Sequence, residues 1–176
     1  LGGTKTVLAI YSNENHPKKL FNKYYVSSEW ESFDLILKDF IKQLPNHISL
    51  PEFGCIGVAG PIQYQKVKIT NLGWDIKAEK LSLLSNIGNI ELINDFSVLI
   101  YGIPYFKKDQ YEVIQGKLNP DSKNDQEMIA IIGAGTGLGM TRGFITPKSI
   151  SVFPSEGGHR EFSPRIESEW ELAKWL

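Results

Sequence analysis

The sequence predicts an α/β protein built on a mixed sheet with antiparallel and parallel parts. Three observations predict it. Apolar strand runs follow one another as a meander near the start of the chain, later strands alternate with runs of helical period, and one strand runs directly into an Asn-Asp pair where a helix begins. Taken in order, Val7 to Tyr11 reads as a buried strand directly after a glycine pair. The polar stretch around Pro17 reads as a turn, and Leu20 to Val26 as the next strand. Ser28 and Glu31 have capping-box spacing, and Phe33, Ile36, Leu37, Phe40, Ile41 and Leu44 then recur at helical period up to Pro45. Phe53 to Ala59 is a strand ending at Gly60-Pro61, with Cys55 inside it as a small buried core residue. Val67 to Thr70 is a short strand, Ala78 to Leu84 a helix and Ile90 to Ile93 a strand. Lys117 to Gln126 is a polar loop, Met128 to Ile132 a buried strand stopping at Gly133, and Gly139 to Ile145 a further strand. The last helix is expected to start near Pro164 with Ser163 as its cap, setting Trp170, Ala173 and Leu176 on an apolar face that needs a partner. There is no internal repeat and no low-complexity segment.

The 176 residues suffice for one domain with a hydrophobic core. Nineteen Lys+Arg against 20 Asp+Glu, a formal net charge of −1, argue against a nucleic-acid-binding domain. They leave room for a small anionic ligand held by backbone N–H groups. No apolar run is long enough to span a bilayer, and no signal peptide is visible. With one cysteine an internal disulfide is impossible, which fits a reducing, cytoplasmic setting.

Four constellations carry chemistry. Gly2-Gly3-Thr4 stands immediately before a strand, where consecutive glycines let the backbone approach an anion and Thr4 adds a hydroxyl donor; an ordinary hairpin turn is the alternative. Gly133-Ala134-Gly135-Thr136-Gly137-Leu138-Gly139 lies between two apolar strands. Its four glycines read as a tight turn able to cradle phosphate rather than as packing, although it lacks the Lys-Ser/Thr ending of a P-loop; a hairpin without a ligand is the alternative. Asn94-Asp95 ends a strand, at the sheet edge where open α/β proteins bind ligands. Asp95 there is either a helix N-cap or a carboxylate that takes the proton of an attacking hydroxyl. Last, Glu156 and His159 flank a glycine pair that allows a bent backbone, so both could reach the hydroxyls of one ligand; a structural histidine and a surface carboxylate are the alternatives. His16 and His47 lie in polar turns, and no metal cage is expected.

The order of these motifs is specific. Leu1 to Thr6, Gly60-Pro61-Ile62, Thr70 to Trp74, Ile93 to Phe96, the Gly133–Gly139 run and Ser155 to Pro164 together resemble the bacterial glucokinase family over essentially the whole chain. The related repressor–kinase family carries a cysteine-rich zinc motif after its Glu-His pair, which a chain with Cys55 as its single cysteine lacks. The resemblance implies the ribonuclease H-like mixed sheet flanked by helices of the sugar kinase, actin and Hsp70 ATPases. It divides the chain into an N-terminal domain, 1–133, and the start of a larger second domain, 134–176. It implies transfer of the ATP γ-phosphoryl group to the 6-hydroxyl of glucose, with Asp95 as catalytic base and Asn94, Asp95, Glu156 and His159 on the sugar. Gly2, Gly3 and Thr4 resemble the first phosphate loop, and Gly135, Thr136 and Gly137 the second, with Mg2+ bound through the ATP phosphates. Family members carry an Asp just before the Leu-Gly-Gly-Thr stretch and continue past this C-terminus, so the chain is expected to be a fragment of about half a family member. The expected partners are glucose, ATP and a second copy in a cytoplasmic homodimer, with neither nucleic acid nor membrane. The alternatives are a kinase for another hexose or an amino sugar, and a non-catalytic sugar-binding module of the same fold.

Overall fold

The computed structural model describes residues 1–14, 16–115, 127–135 and 137–175. The expected loop at Lys117–Gln126, and the residues Thr136 and Leu176, lie outside the described residues. The α/β class holds, with antiparallel and parallel pairing both present. Among the described residues the pairing is divided over four separate ladders. No helix among them is long and apolar enough to cross a membrane.

The chain opens with an antiparallel pair, β1 (Lys5–Tyr11) and β2 (Lys19–Val26). The expected capping box does not form. Ser27–Glu29 is instead a single 3-10 turn, and α1 (Phe33–Lys42) starts later, after Ser32, whose side chain makes no capping bond. Ser27 is drawn away from any helix by burial, its hydroxyl donating to Gly2 O at 2.9 Å and lying 3.0 Å from Thr6 Oγ1. The apolar stripe of α1 behaves as its period demands: Phe33, Ile36, Leu37 and Phe40 are all buried. Each such side chain contributes on the order of 1.5–3 kcal/mol by leaving water. At the rim of α1, Asp39 accepts from Lys23 Nζ, Tyr25 Oη and Gln43 Nε2 at 3.0, 3.0 and 2.7 Å. The Lys23 bond, seconded by the other two, holds its carboxyl below the usual carboxylate range.

Next come β3 (Phe53–Val58) and, after a hairpin, its parallel partner β6 (Asn89–Asn94). The hairpin is β4 (Lys66–Ile69) with β5 (Trp74–Lys77), followed by α2 (Ala78–Ser85). Val67, Ile69, Trp74 and Ile76 alternate inward along the hairpin and join α1 and the β3–β6 pair in one core. Before β4, Tyr64 and Gln65 turn the chain with φ of 51° and 58°, and the Gln65 side chain bonds both Leu92 N (2.7 Å) and Leu92 O (3.4 Å). A side-chain amide thus takes the place of a further strand on β6.

Cys55 corrects an expectation: it is exposed. Alternation along β3 buries Ile56 and Val58 and turns Cys55 to the other face. The edge of β3 is open as well, because β1 and β3 are not hydrogen-bonded to each other. An apolar slot of about 500 Å3 separates them, lined by consecutive residues of both strands, so strand edges rather than sheet faces form its walls. Partial burial there, and the charge of cross-strand Glu91, still push the thiol pKa up.

After β6 the chain forms α3 (Ser97–Gly102), then an antiparallel meander of β7 (Glu127–Ala134), β8 (Leu138–Ile145) and β9 (Ile150–Ser155). The final helix, α4 (Glu167–Trp175), begins three residues beyond Pro164, so Ser163 is not its cap. Glu169 reaches back to accept from Arg165 N at 2.7 Å. No residue of α4 with a described side chain is buried.

Candidate active site

The site is built on the carboxyl end of β6. Parallel pairing sets Val58 opposite Asn94, and Asp95 N donates to Val58 O at 3.0 Å, so the backbone of the Asn-Asp pair is held by β3. Beyond it the chain turns into α3. The cap of that turn is made chiefly by Asn94, whose Oδ1 accepts from Phe96 N and Ser97 N, both at 3.1 Å. Asp95 Oδ1 accepts only from the adjacent Phe96 N, at 3.0 Å. The capping role that could have explained Asp95 is therefore filled largely by its neighbour. Among the described residues nothing else bonds the second carboxylate oxygen of Asp95, or the Nδ2 of Asn94.

Glu156 arrives from the end of β9. Gly157–His159 form one 3-10 turn, closed by His159 N donating to Glu156 O at 3.0 Å. A Cβ at Gly158 would overlap the carbonyl oxygen of Leu138, so glycine lets this turn press on the start of β8. The turn sets Glu156 Oε2 3.4 Å from His159 Nε2, with both side chains largely open to solvent.

Asn94 and Glu156 line one pocket of about 410 Å3, together with Gly60, Pro61, Ser97, Tyr101 and Ser155. Asp95 adjoins this pocket through Asn94 without lining it, and His159 reaches it only through Glu156. A larger pocket of about 800 Å3 lies on the other side of Gly60-Pro61 and includes Gly3 and Asn71. Gly60, with φ 114°, adopts a backbone that L side chains rarely take, and with Pro61 it borders both pockets. Sequence reasoning did not assign Gly60, Ser97, Tyr101 or Ser155 to the site. A glycine-proline pair directly after a strand was the one signal that could have found any of them.

The first glycine motif is brought to the same end of the sheet. The backbone N of Leu1 donates to Gly57 O at 2.6 Å. Gly2 N donates to Lys5 O, Ser27 N donates to Thr4 O, and Ser27 Oγ takes the Gly2 carbonyl, so a buried serine anchors the loop from behind. Thr4 is exposed, and a Cβ at Gly3 would overlap the Asn71 side chain.

In the second motif only Gly135 and Gly137 belong to the turn, tied by Gly135 N donating to Gly137 O at 2.9 Å. Among the described residues a Cβ at Gly137 would meet nothing within 4 Å, and one at Gly135 only Gly137 O at 3.9 Å, so these two positions are open. Exposed, side-chain-free backbone of this kind fits a phosphate-bearing group. Gly133 and Gly139 have another reason to be glycine: they are cross-strand partners beneath the ring of Phe96. Packing, discounted for these glycines from the sequence, is what requires them.

The glucokinase family model matches residues 1–176. The chain is 38% identical over 181 residues to the glucokinase of Nostoc punctiforme, covering 100% of the chain and 50% of that protein. It is 31% identical over 172 residues to the glucokinase of Salmonella arizonae, covering 96% of the chain and 50% of that protein. It thus spans about half the length of the curated relatives it matches. A crystal structure of glucokinase from an Antarctic psychrotroph superposes with a TM-score of 0.82 at 29% identity, over 99% of this chain and 53% of that one. A Balamuthia mandrillaris glucokinase in complex with glucose gives a TM-score of 0.71 at 20% identity, over 100% and 52% respectively, a likeness of fold. Sequence and architecture agree over the whole length, and the chain belongs to the glucokinase family.

Proposed function

We propose that the chain forms the sugar-binding half of an ATP-dependent glucokinase, with Asp95 as the base that takes the proton of the glucose 6-hydroxyl. The observation that carries this reading is the shared pocket of Asn94 and Glu156, two segments distant in sequence, with Asp95 next to it on a backbone fixed by β3. Asn94 spends its oxygen on the α3 cap and keeps its Nδ2 to donate to a sugar hydroxyl. Glu156 and His159 offer an acceptor and a ring nitrogen to further hydroxyls. When bound, ATP supplies the γ-phosphoryl group, and Mg2+ carried on its phosphates offsets their charge. Gly2, Gly3 and Thr4 form one loop for those phosphates, and Gly135, Thr136 and Gly137 the other. The chain's part is positioning: Asp95 orients the hydroxyl and takes its proton as the hydroxyl oxygen attacks the γ-phosphorus and the bond from that phosphorus to the ADP oxygen breaks, with ADP leaving.

In this reading residues 1–133 are the N-terminal domain and 134–176 open the second, and the active protein is a cytoplasmic homodimer. Light scattering on protein of its relatives' full length should give twice the chain mass. The same protein with Asp95→Asn tests the base. The amide keeps an oxygen for Phe96 N, so glucose binding by calorimetry should persist while kcat falls by about a hundredfold or more. A loss of only a few-fold would sink the role. Comparing kcat/KM for glucose with that for other hexoses and amino sugars identifies the substrate, and binding without turnover by the unaltered enzyme would favour a non-catalytic module.

A further inference from the structure

One face of β8 is built to receive α3. Gly139, Thr141 and Gly143 alternate along that face, and Phe96, Ser97 and Ile100 sit on them in turn. A Cβ at Gly139 would overlap Cε2 and Cζ of Phe96, and one at its partner Gly133 would lie 2.8 Å from Phe96 Cε1. Ser97 Oγ lies 3.5 Å from Thr141 Oγ1, both residues buried. A Cβ at Gly143 would lie 2.6 Å from Ser151 O on β9 and 3.0 Å from the fully buried Ile100. Of these three β8 residues only Thr141 has a side chain toward the helix, and the Phe96 ring fills the space left over Gly133 and Gly139.

What this seat joins gives it consequence. Phe96 follows Asp95 directly, and Gly133 and Gly139 are paired on the strands that lead to Gly135 and from Gly137. We propose that Phe96 and the Gly133–Gly139 pair form a positioning clamp that sets the reach from the Asp95 carboxylate to the phosphate-binding hairpin. This deepens and rests on the kinase reading. Phe96 N donates to Asn94 Oδ1 and Asp95 Oδ1, bonds that any residue with a backbone N–H keeps, and among the described residues no hydrogen bond joins the clamp to Glu156 or His159, so the clamp governs the rate of transfer more than sugar affinity. A bulkier residue beneath the ring pushes the base and the hairpin apart, and misplacement by about 1 Å costs on the order of a hundredfold in such reactions.

The experiment uses protein of the relatives' full length in a coupled assay, with kcat expressed per folded molecule. Gly139→Ala should lower kcat by about tenfold or more while KM for glucose changes less than about twofold. Phe96→Leu, which shortens the side chain over that methyl group, should restore much of the lost rate in the Gly139→Ala background, a non-additive pair. Should Gly139→Ala fail to fold, Gly133→Ala, the less crowded site, gives the same readout. A lower melting temperature with kcat unchanged would overturn the clamp, and so would two losses that simply multiply. An unaltered enzyme that phosphorylates no hexose would overturn the kinase reading first, which separates the two failures.

Discussion

Helices α1 and α4 carry the same kind of signal and meet opposite fates. Both place apolar residues at helical period, yet Phe33 and Ile36 of α1 are 1% and 0% exposed, while Trp170 of α4 is 51% exposed. The contrast extends to the regions around them. From β1 to β6 a single cluster of buried side chains joins two strand pairs, a hairpin and two helices. From β7 onward several large apolar side chains, Met128, Ile132, Leu138 and Phe153 among them, stay open to solvent. The difference teaches that periodicity states which face seeks burial, not whether anything stands opposite it. It also gives the candidate site an asymmetric foundation. Asn94 and Asp95 stand on the closed region, whereas Glu156 and His159 stand on the open one and are held by a glycine turn and one another.

The comparison can be broken from either side. Phe33→Ala, at the heart of the closed region, should lose about 3–5 kcal/mol of stability, read as a shift in the urea midpoint with unchanged slope; a loss near zero would mean that the cluster is not a cohesive core. Ser27→Ala should cost less, about 1–3 kcal/mol, because it leaves the Thr6 hydroxyl and the Gly2 carbonyl without their buried partner. In protein of the relatives' full length the same change should raise KM for ATP more than KM for glucose, and an equal rise in both would detach Ser27 from the phosphate loop. The smallest effect belongs to the open region: Trp175→Ala in this chain should stay within about 0.5 kcal/mol by the same unfolding measurement. A loss several times larger would show that Trp175 is covered in solution.

Much of the strand order was legible because strands announce themselves locally, by apolar runs bounded by turn residues. The misses share a cause. Ser28 and Glu31 have the spacing of a capping box, but the neighbouring Ser27 was worth more to the fold as a buried anchor for Gly2 and Thr6. The strand Trp74–Lys77 is only four residues long, too short to stand out before the hairpin partner Lys66–Ile69 is known. Ile150–Ser155 was not read as a strand; among the described residues it pairs only with β8, and such an edge tolerates Pro154, which cannot donate. Cys55 was assigned to the core by its apolar neighbours, while alternation on a strand with an uncovered face left it outside.

The candidate site divides in the same way. The residue types were readable: glycines that free the backbone, an Asn-Asp pair at a strand end, a Glu and a His around a bend. Such features depend on a few neighbouring residues, and the family resemblance rests on their order along the chain. Which of them meet was a matter for tertiary structure. Only the folded chain brings Asn94 and Glu156 into one pocket, gives the helix cap chiefly to Asn94 instead of Asp95, and assigns two of the four hairpin glycines to the ring of Phe96. The physical reason is that a glycine is permitted by its own backbone but required by whatever comes to rest against it, and a linear pattern carries the first kind of information without the second.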